Sequence, residues 1–317
     1  MPRRAKTYEE SSQISGLFCH KSRYIQQTSI IIFIIGSINS NIRILIRDRN
    51  CWDARTYDEV SRVVQYRWGQ QILEWRKWNG NEIVMDAGCG SGLLSKLLAQ
   101  KVPRGKVYAV DIDSSMIKQA KMSLKDLQNV VLLQSDFTEV MLPTKLDVIF
   151  SNAALHWVHN HAQVFRHFWK MLKSDRTNGI QLLIQCGGYG NLNRILTLLR
   201  QVTQLNEFEE YFTDMNQPWH FAKPDDTSKL LGKIGYVNIN VHLHDDCVKL
   251  SNRQIYSKFV RTVIMKPFLE RIPKDKIRNR YLELFLDEVE ERSTSSKKPE
   301  TPWSLDYVRL NITADKP

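Results

Sequence analysis

The sequence predicts a doubly wound α/β fold with a mostly parallel sheet, and three observations predict it. Short apolar runs of strand type recur at 82–86, 106–110, 130–133, 146–150, 180–184, 237–243 and 307–312, which makes a seven-stranded sheet. Most are separated by stretches whose apolar residues fall three and four apart, the spacing of one helix face. Glycines cluster at the first strand-to-helix junction, in Asp86-Ala87-Gly88-Cys89-Gly90-Ser91-Gly92, where such folds turn tightly and take ligands at the carboxyl ends of their strands.

The regular pattern begins after Trp52. Val60, Val63, Val64, Trp68, Ile72 and Trp75 line one face of an early helix, and the turn Asn79-Gly80-Asn81 ends it and feeds the first strand. Leu93, Leu94, Leu97 and Leu98 mark the next helix, with further helices at 115–124 and 162–172. After Gly187-Gly188-Tyr189-Gly190 the alternation breaks: a helical stretch over 192–212, too long for a simple crossover, precedes the aromatic cluster Trp219-His220-Phe221. The rhythm resumes with a helix at 225–234 and a strand at 237–243, and a second helical stretch covers 255–289. These two insertions fall near strand carboxyl ends and are read as a helical cap. The expected organisation is a poorly ordered extension over 1–51, a core with its N-terminal helices over 52–190, cap segments over 191–224 and 246–302, returning core at 225–245, and a last core strand with its tail at 303–317.

The 317 residues suffice for one large α/β domain with an appendage, and 42% apolar and 25% charged residues exclude fibrous, low-complexity and disordered classes. The apolar run at 30–35 is six residues long, far short of the roughly 20 needed to span a bilayer. Lys21 and Arg23 precede it as in a signal peptide, but they sit far from Met1 and no small-x-small cleavage site follows. Cys19, Cys51, Cys89, Cys186 and Cys247 form no C-x-x-C pair, so a reducing, cytoplasmic setting without a structural metal is expected. Of the net charge of +11, +5 lies in the first fifty residues, and the rest is spread over mixed-sign segments. A solvated surface of mixed charge is therefore expected rather than a dedicated nucleic-acid face.

The chemistry resides in the glycine turn and in Asp111 at the end of the second strand. Glycines let backbone approach a ligand closely, and the acidic residue can accept hydrogen bonds from ribose hydroxyls, so the ligand is a nucleoside derivative. A nicotinamide dinucleotide would want Gly or Ala at position 93, which is Leu93 here. Asp86 would also repel a pyrophosphate, whereas it would attract an ammonium or a sulfonium, and S-adenosylmethionine carries both.

On these residues the sequence resembles the class I S-adenosylmethionine-dependent methyltransferases over roughly 52–316. The resemblance implies a methionine-binding turn at Asp86, Gly88, Gly90 and Gly92, a ribose-binding strand end at Asp111-Ile112-Asp113 followed by Met116, and an adenine-contacting segment at Ser135-Asp136-Phe137. The segment Ser151-Asn152-Ala153-Ala154-Leu155-His156-Trp157 is similar to the one after strand 4 in the branch of trans-aconitate, malonyl-carrier-protein and juvenile hormone acid methyltransferases, which methylate carboxylates. The branch also implies substrate-facing roles for Gln65, His156 and Trp157, and a cofactor contact at Asn152. Each residue has a plainer alternative: core packing for Ile112 and Met116, a helix N-cap for Asp136, a packed aromatic pair for His156 and Trp157, and a surface amide for Gln65. Arg309 or Arg261 would be the partner of an acceptor's charge.

The expected activity is methyl transfer to a small carboxylate, giving an ester. The Asn-Pro-Pro-Tyr signature of amino-group methylation on adenine or glutamine is absent, since Ala153 and Ala154 follow Asn152. The alternatives are another small acceptor such as an amine or phenol, an RNA or protein acceptor, and a protein that binds the cofactor without turnover.

Overall fold

The computed structural model describes residue 56 and residues 62–174, 179–294 and 302–317. The expected extension over 1–51 and the opening of the first helix at 57–61 lie outside the described residues. One sheet is built from β1 (Ile83–Ala87), β2 (Lys106–Asp111), β3 (Val130–Gln134), β4 (Val148–Asn152), β5 (Leu182–Gly187), β6 (Val237–Lys249) and β7 (Ser304–Asp315). The order across it is β3-β2-β1-β4-β5-β7-β6, with β1 to β5 parallel and β7 antiparallel to both of its neighbours. The strand order reverses between β1 and β4, and the crevice outside their carboxyl ends is where open α/β sheets hold ligands.

The central strands read as unbroken apolar runs because helices cover both faces. Met85, Ile149, Leu182 and Ile184 pack with Phe165 and Phe168 on one side, and Val84, Phe150 and Leu183 with Ile72 and Leu98 on the other. The covering helices are α1 (Arg67–Leu73), which follows a π-helical turn at Arg62–Tyr66, α2 (Leu93–Lys101), α3 (Ser114–Ser123) and α4 (His161–Met171). Local chemistry sets their starts: the Asp113 carboxylate accepts from the Ser115 and Met116 N–H groups to begin α3, and the Asn160 side chain accepts from Gln163 N–H to begin α4.

The remaining helices are α5 (Asn193–Thr203), α6 (Glu209–Phe212), α7 (Pro224–Ile234), α8 (Arg253–Phe259), α9 (Lys266–Leu269) and α10 (Asp275–Thr294). Residues of α5, α8, α9 and α10 share one apolar cluster with Trp219, Leu305 and Tyr307, distinct from the cores on the two faces of the sheet. Three expectations change here, the first being that the helical stretch over 255–289 is interrupted between Leu269 and Asp275. The helical stretch over 192–212 is broken between Thr203 and Glu209. The strand expected at 237–243 runs on to Lys249, so the expected boundary at 246 falls inside β6. The extension is an edge strand with exposed polar side chains on both faces, among them His244 and Asp245. Its ladder with β7 supplies the pairing that apolarity does not announce. No helix among the described residues is long and apolar enough to cross a membrane.

The entry to β1 rests on a buried ion pair. Arg76 and Glu82 are 6% and 3% exposed, with Arg76 Nη2 3.2 Å from Glu82 Oε1. The Glu82 carboxylate also accepts the Asn79 and Gly80 N–H groups, and Arg76 Nη1 donates to the Ile180 carbonyl. Replacing Arg76 with Ala strands a buried carboxylate and is expected to cost about 3–5 kcal/mol. Urea unfolding measures this, and a loss below about 1 kcal/mol would show that the pair carries little.

Candidate active site

Residues 88–92 turn from β1 into α2, and the three glycines are there for different reasons. All have positive φ, at 81°, 53° and 85° for Gly88, Gly90 and Gly92. A Cβ on Gly88 would lie 2.3 Å from Ala154 Cβ, and one on Gly92 would lie 2.9 Å from the Leu124 side chain, so these two glycines allow close packing. A Cβ on Gly90 would meet nothing within 4 Å. Gly90 therefore borders open space, the feature a ligand cradle requires. The turn is fixed from β2: Gly88 and Cys89 N–H both donate to the Val110 carbonyl, and Asp111 accepts Gly90 N–H on Oδ2 and Asp113 N–H on Oδ1.

Behind this turn lie two carboxyl groups whose pKa values are raised, chiefly by burial. Asp86 is 1% exposed; burial pushes its pKa up to about 7, the Ser95 hydroxyl at 2.6 Å opposes the rise, and Asp111 adds to it. Asp111 is likewise raised, chiefly by burial. A bound cation would relieve both. On the rim, Ile112 is 67% exposed, a large apolar side chain left in solvent beside the carboxylate. Met116 is buried. Asp136 accepts Thr138 N–H at 2.7 Å and so shapes its own turn. Phe137 packs with its ring 6.1 Å from that of Phe168 and lies 3.7 Å from where a Gly88 Cβ would sit.

The segment after β4 lies across the switch point from the glycine turn. Ala153 has a φ of 56°, uncommon for a residue with a Cβ, and its N–H donates to the Gln185 carbonyl. This bend leads into the short turn Leu155–Trp157. A cavity of about 60 Å³ opens there, lined by Gln65, Asn152, His156, Trp157, Gln185 and Arg309 among others, with room for about four waters. Aromatic rings wall it: Trp157 lies edge-on to Trp219 at 5.6 Å, and Trp219 stacks on Phe221 at 5.9 Å.

Four residues singled out in the sequence, Gln65, Asn152, His156 and Trp157, thus meet around one cavity. Asn152 Nδ2 donates to the Gln65 carbonyl at 3.1 Å, tying β4 to the π-helical turn. Of the two arginines considered as charge partners, Arg309 lines the cavity. Arg261 instead bonds Asn279 on the exposed face of the cap. Trp68, read in the sequence only as part of the apolar face of the early helix, also lines the cavity, and sequence reasoning did not assign Gln185 or Tyr307 to it. Gln185 gave a signal, as an amide within an otherwise apolar strand.

A family model described as a methyltransferase domain matches residues 85–177. An uncharacterised methyltransferase of Schizosaccharomyces pombe is 26% identical over 278 residues, covering 84% of this chain and 98% of that protein. The trans-aconitate 2-methyltransferase of Escherichia coli is 34% identical over 101 residues, 32% of this chain and 39% of its own. The malonyl-[acyl-carrier protein] O-methyltransferase of Priestia megaterium is 31% identical over 131 residues, 41% and 47% of the two chains. The match thus spans less than half the length of these two bacterial relatives. Among solved structures, the YcgJ protein of Bacillus subtilis shares the fold with a TM-score of 0.53 at 13% identity, over 78% of this chain and 97% of that one. The chain thus carries a methyltransferase domain over residues 85–177, and S-adenosylmethionine-dependent methyl transfer is the chemistry these similarities support.

Imidazoles crowd the junction between the post-β4 segment and the aromatic cluster. Burial pushes His161 down to about 4, with His220, whose ring lies 4.6 Å away, adding to the shift; His161 Nε2 bonds the Leu155 carbonyl. Its folded pKa lies below the unfolded value near 6.5. The stability it contributes is therefore present above that value and lost as pH falls toward about 4. Asp86, raised to about 7 when folded, acts in the opposite sense over the same window. Replacing His161 with Asn should make stability less acid-sensitive between pH 6.5 and 4 by about one proton, or about 1.4 kcal/mol per pH unit. An unchanged slope in urea unfolding across that range would mean that His161 is already protonated in the folded protein.

Proposed function

We propose that the protein methylates a carboxylate of a small organic acid, forming an ester. The observation that carries this reading is the state of His156. Its Nδ1 accepts the Gly187 N–H at 3.3 Å, and burial, with a lesser contribution from His161, keeps the ring neutral down to about 3. The ring proton is therefore assigned to Nε2 from the hydrogen-bond network. The imidazole on the cavity wall is then a donor, with no free lone pair to take a proton from a phenol or an amine. A carboxylate is already anionic above about pH 4 and needs donors and positioning instead. The names of the bacterial relatives, an O-methyltransferase and an enzyme of trans-aconitate, point the same way.

Bound S-adenosylmethionine supplies an electrophilic methyl group on a sulfonium. In this reading Gly90 lies under the methionine end, while Gly88 and Gly92 let the turn close. Asp111 accepts from the ribose hydroxyls, Ile112 and Met116 flank the adenine, and Asp136 and Phe137 face its edge. Asp86 offsets the positive charge from behind, and Asn152 aligns the donor side with the cavity. On the acceptor side Gln65, His156 and Trp157 orient the acid, and the aromatic wall keeps water out, which strengthens every polar contact inside. The size of the cavity favours a small acceptor.

Two outcomes test this reading. With saturating donor and a carboxylic acid as acceptor, kcat should stay within about twofold between pH 6 and pH 8, because the acceptor's carboxyl group titrates near 4. A neutral phenol or amine as the best substrate, with a rate rising about tenfold per pH unit, would overturn the carboxylate assignment. Gly90→Val should keep a melting temperature within several degrees of wild type, since its side chain enters open space at the cost of a left-handed φ, about 1–2 kcal/mol. Calorimetry should show donor affinity lost by about a hundredfold or more, and normal affinity would mean that the turn does not cradle the cofactor.

A further inference from the structure

One charged group in the cavity is left without a task by this reading. Arg309, on β7, is 5% exposed and lines the cavity, and its Nε–H has no acceptor. The rest of the guanidinium is held from several sides. Nη1 donates to Gln185 Oε1 at 3.3 Å, Nη2 lies 3.4 Å from Asp246 Oδ2, and the group sits 4.7 Å over the Trp68 ring. Asn311 sets the orientation of the Gln185 amide, because Gln185 Nε2 donates to Asn311 Oδ1 at 2.8 Å. The Asp246 carboxylate also accepts Trp68 Nε1–H at 2.7 Å and faces Arg67 at 3.6 Å. One carboxylate thus serves two arginines, and the array keeps a net positive charge.

A buried N–H without an acceptor bears its desolvation cost uncompensated, and such groups are rare in folded proteins. The protein does not supply the missing acceptor, since neither Asp nor Glu occurs among the described residues lining the cavity. An anion on the acceptor can. It need not be the reacting group: a carboxylate clasped by a guanidinium has its lone pairs engaged and its charge offset, and attacks poorly, whereas neutral donors such as His156 Nε2–H hold it without that loss. Building on the carboxylate reading, we infer that the acceptor is an acid with a second, non-reacting carboxylate, and that Arg309 holds this second group through its Nε–H. Selection then extends to the product. The monoester has lost one of the two charges, so with its remaining carboxylate on Arg309 it presents an ester to the reacting position, and methylation stops after one turnover per molecule.

The experiment uses the full chain as wild type, Arg309→Gln and Arg309→Lys, with linear dicarboxylates from succinate to suberate and their monomethyl esters. S-adenosylhomocysteine formation reports turnover, and calorimetry without donor reports binding of the same acids. In wild type the best diacid should have a kcat/KM about tenfold or more above that of its monoester, whose productive pose leaves Arg309 without a carboxylate. Arg309→Gln should raise the diacid KM by about tenfold or more and leave kcat within about threefold, and its calorimetric affinity should fall in parallel. Arg309→Lys keeps the charge facing Asp246 but not the Nε–H, and should lie between the two; it carries the comparison if the Gln variant melts early. Diacid turnover and affinity indifferent to both substitutions would overturn the inference while leaving carboxylate methylation intact. If no acid is methylated, the carboxylate reading fails instead. Calorimetry still decides on Arg309 in that case: diacid binding that depends on it supports the anion site, and absent or indifferent binding overturns it.

Discussion

Two stretches of backbone meet at the switch point of the sheet with no room for a methyl group between them. Gly88, leaving β1, faces Ala154, leaving β4, so closely that any side chain at 88 would overlap the alanine Cβ. The left-handed φ of Ala153 bends the second stretch into this approach, and the Val110 carbonyl and Asp111 carboxylate hold the first. Because the two segments touch, the space beside Gly90 and the cavity beside His156 lie on either side of one short junction. The proposed methyl transfer requires reacting groups within near-attack distance, and in that reading the backbone junction would set the distance rather than flexible side chains.

The electrostatics divide at the same junction. On the glycine side, buried Asp86 and Asp111 have no cation among the described residues near enough to hold their pKa values down. On the cavity side, Arg309 is buried with a donor left over and no acidic residue in the described lining. Each side is thus unsatisfied in the sense opposite to the charge expected of its ligand. Such an arrangement costs stability in the ligand-free fold and is repaid when charged ligands bind, a common feature of sites whose pKa values are strongly shifted.

Most of this was legible in the sequence where one local pattern determines the outcome. The seven strands, the glycine turn and Asp111 could be read because apolar runs, glycine clusters and a strand-end acid are signals a few residues long. The helical stretch expected over 192–212 proved to be two helices, since the break between Thr203 and Glu209 is made by tertiary packing. The far half of β6 was missed because an edge strand needs only one apolar face, and residues such as Asp245 and Asp246 read as loop. Separating Arg309 from Arg261 needed three dimensions: both are single arginines within largely apolar stretches, and only the antiparallel register opposite Gly187 brings Arg309 to the cavity. Similarly, the division of labour among Gly88, Gly90 and Gly92 depends on neighbours distant in the chain, Ala154 and Leu124.

The position of β7 has a consequence for how the molecule is made. This strand follows every other described element, yet it lies between β5 and β6 and is the neighbour to which β6 is bonded. During synthesis, which runs from the N-terminus, β1 to β5 can pair as soon as they emerge, but the thirteen residues of β6 have no ladder to join until 304–315 arrive. Arg309 and Tyr307 come with that last strand, so the wall of the cavity nearest them is absent from every shorter nascent chain. An intermediate on the ribosome could therefore hold a finished glycine turn while having no place to receive an acceptor, and an unpaired β6 makes it the species for which a chaperone would have most use.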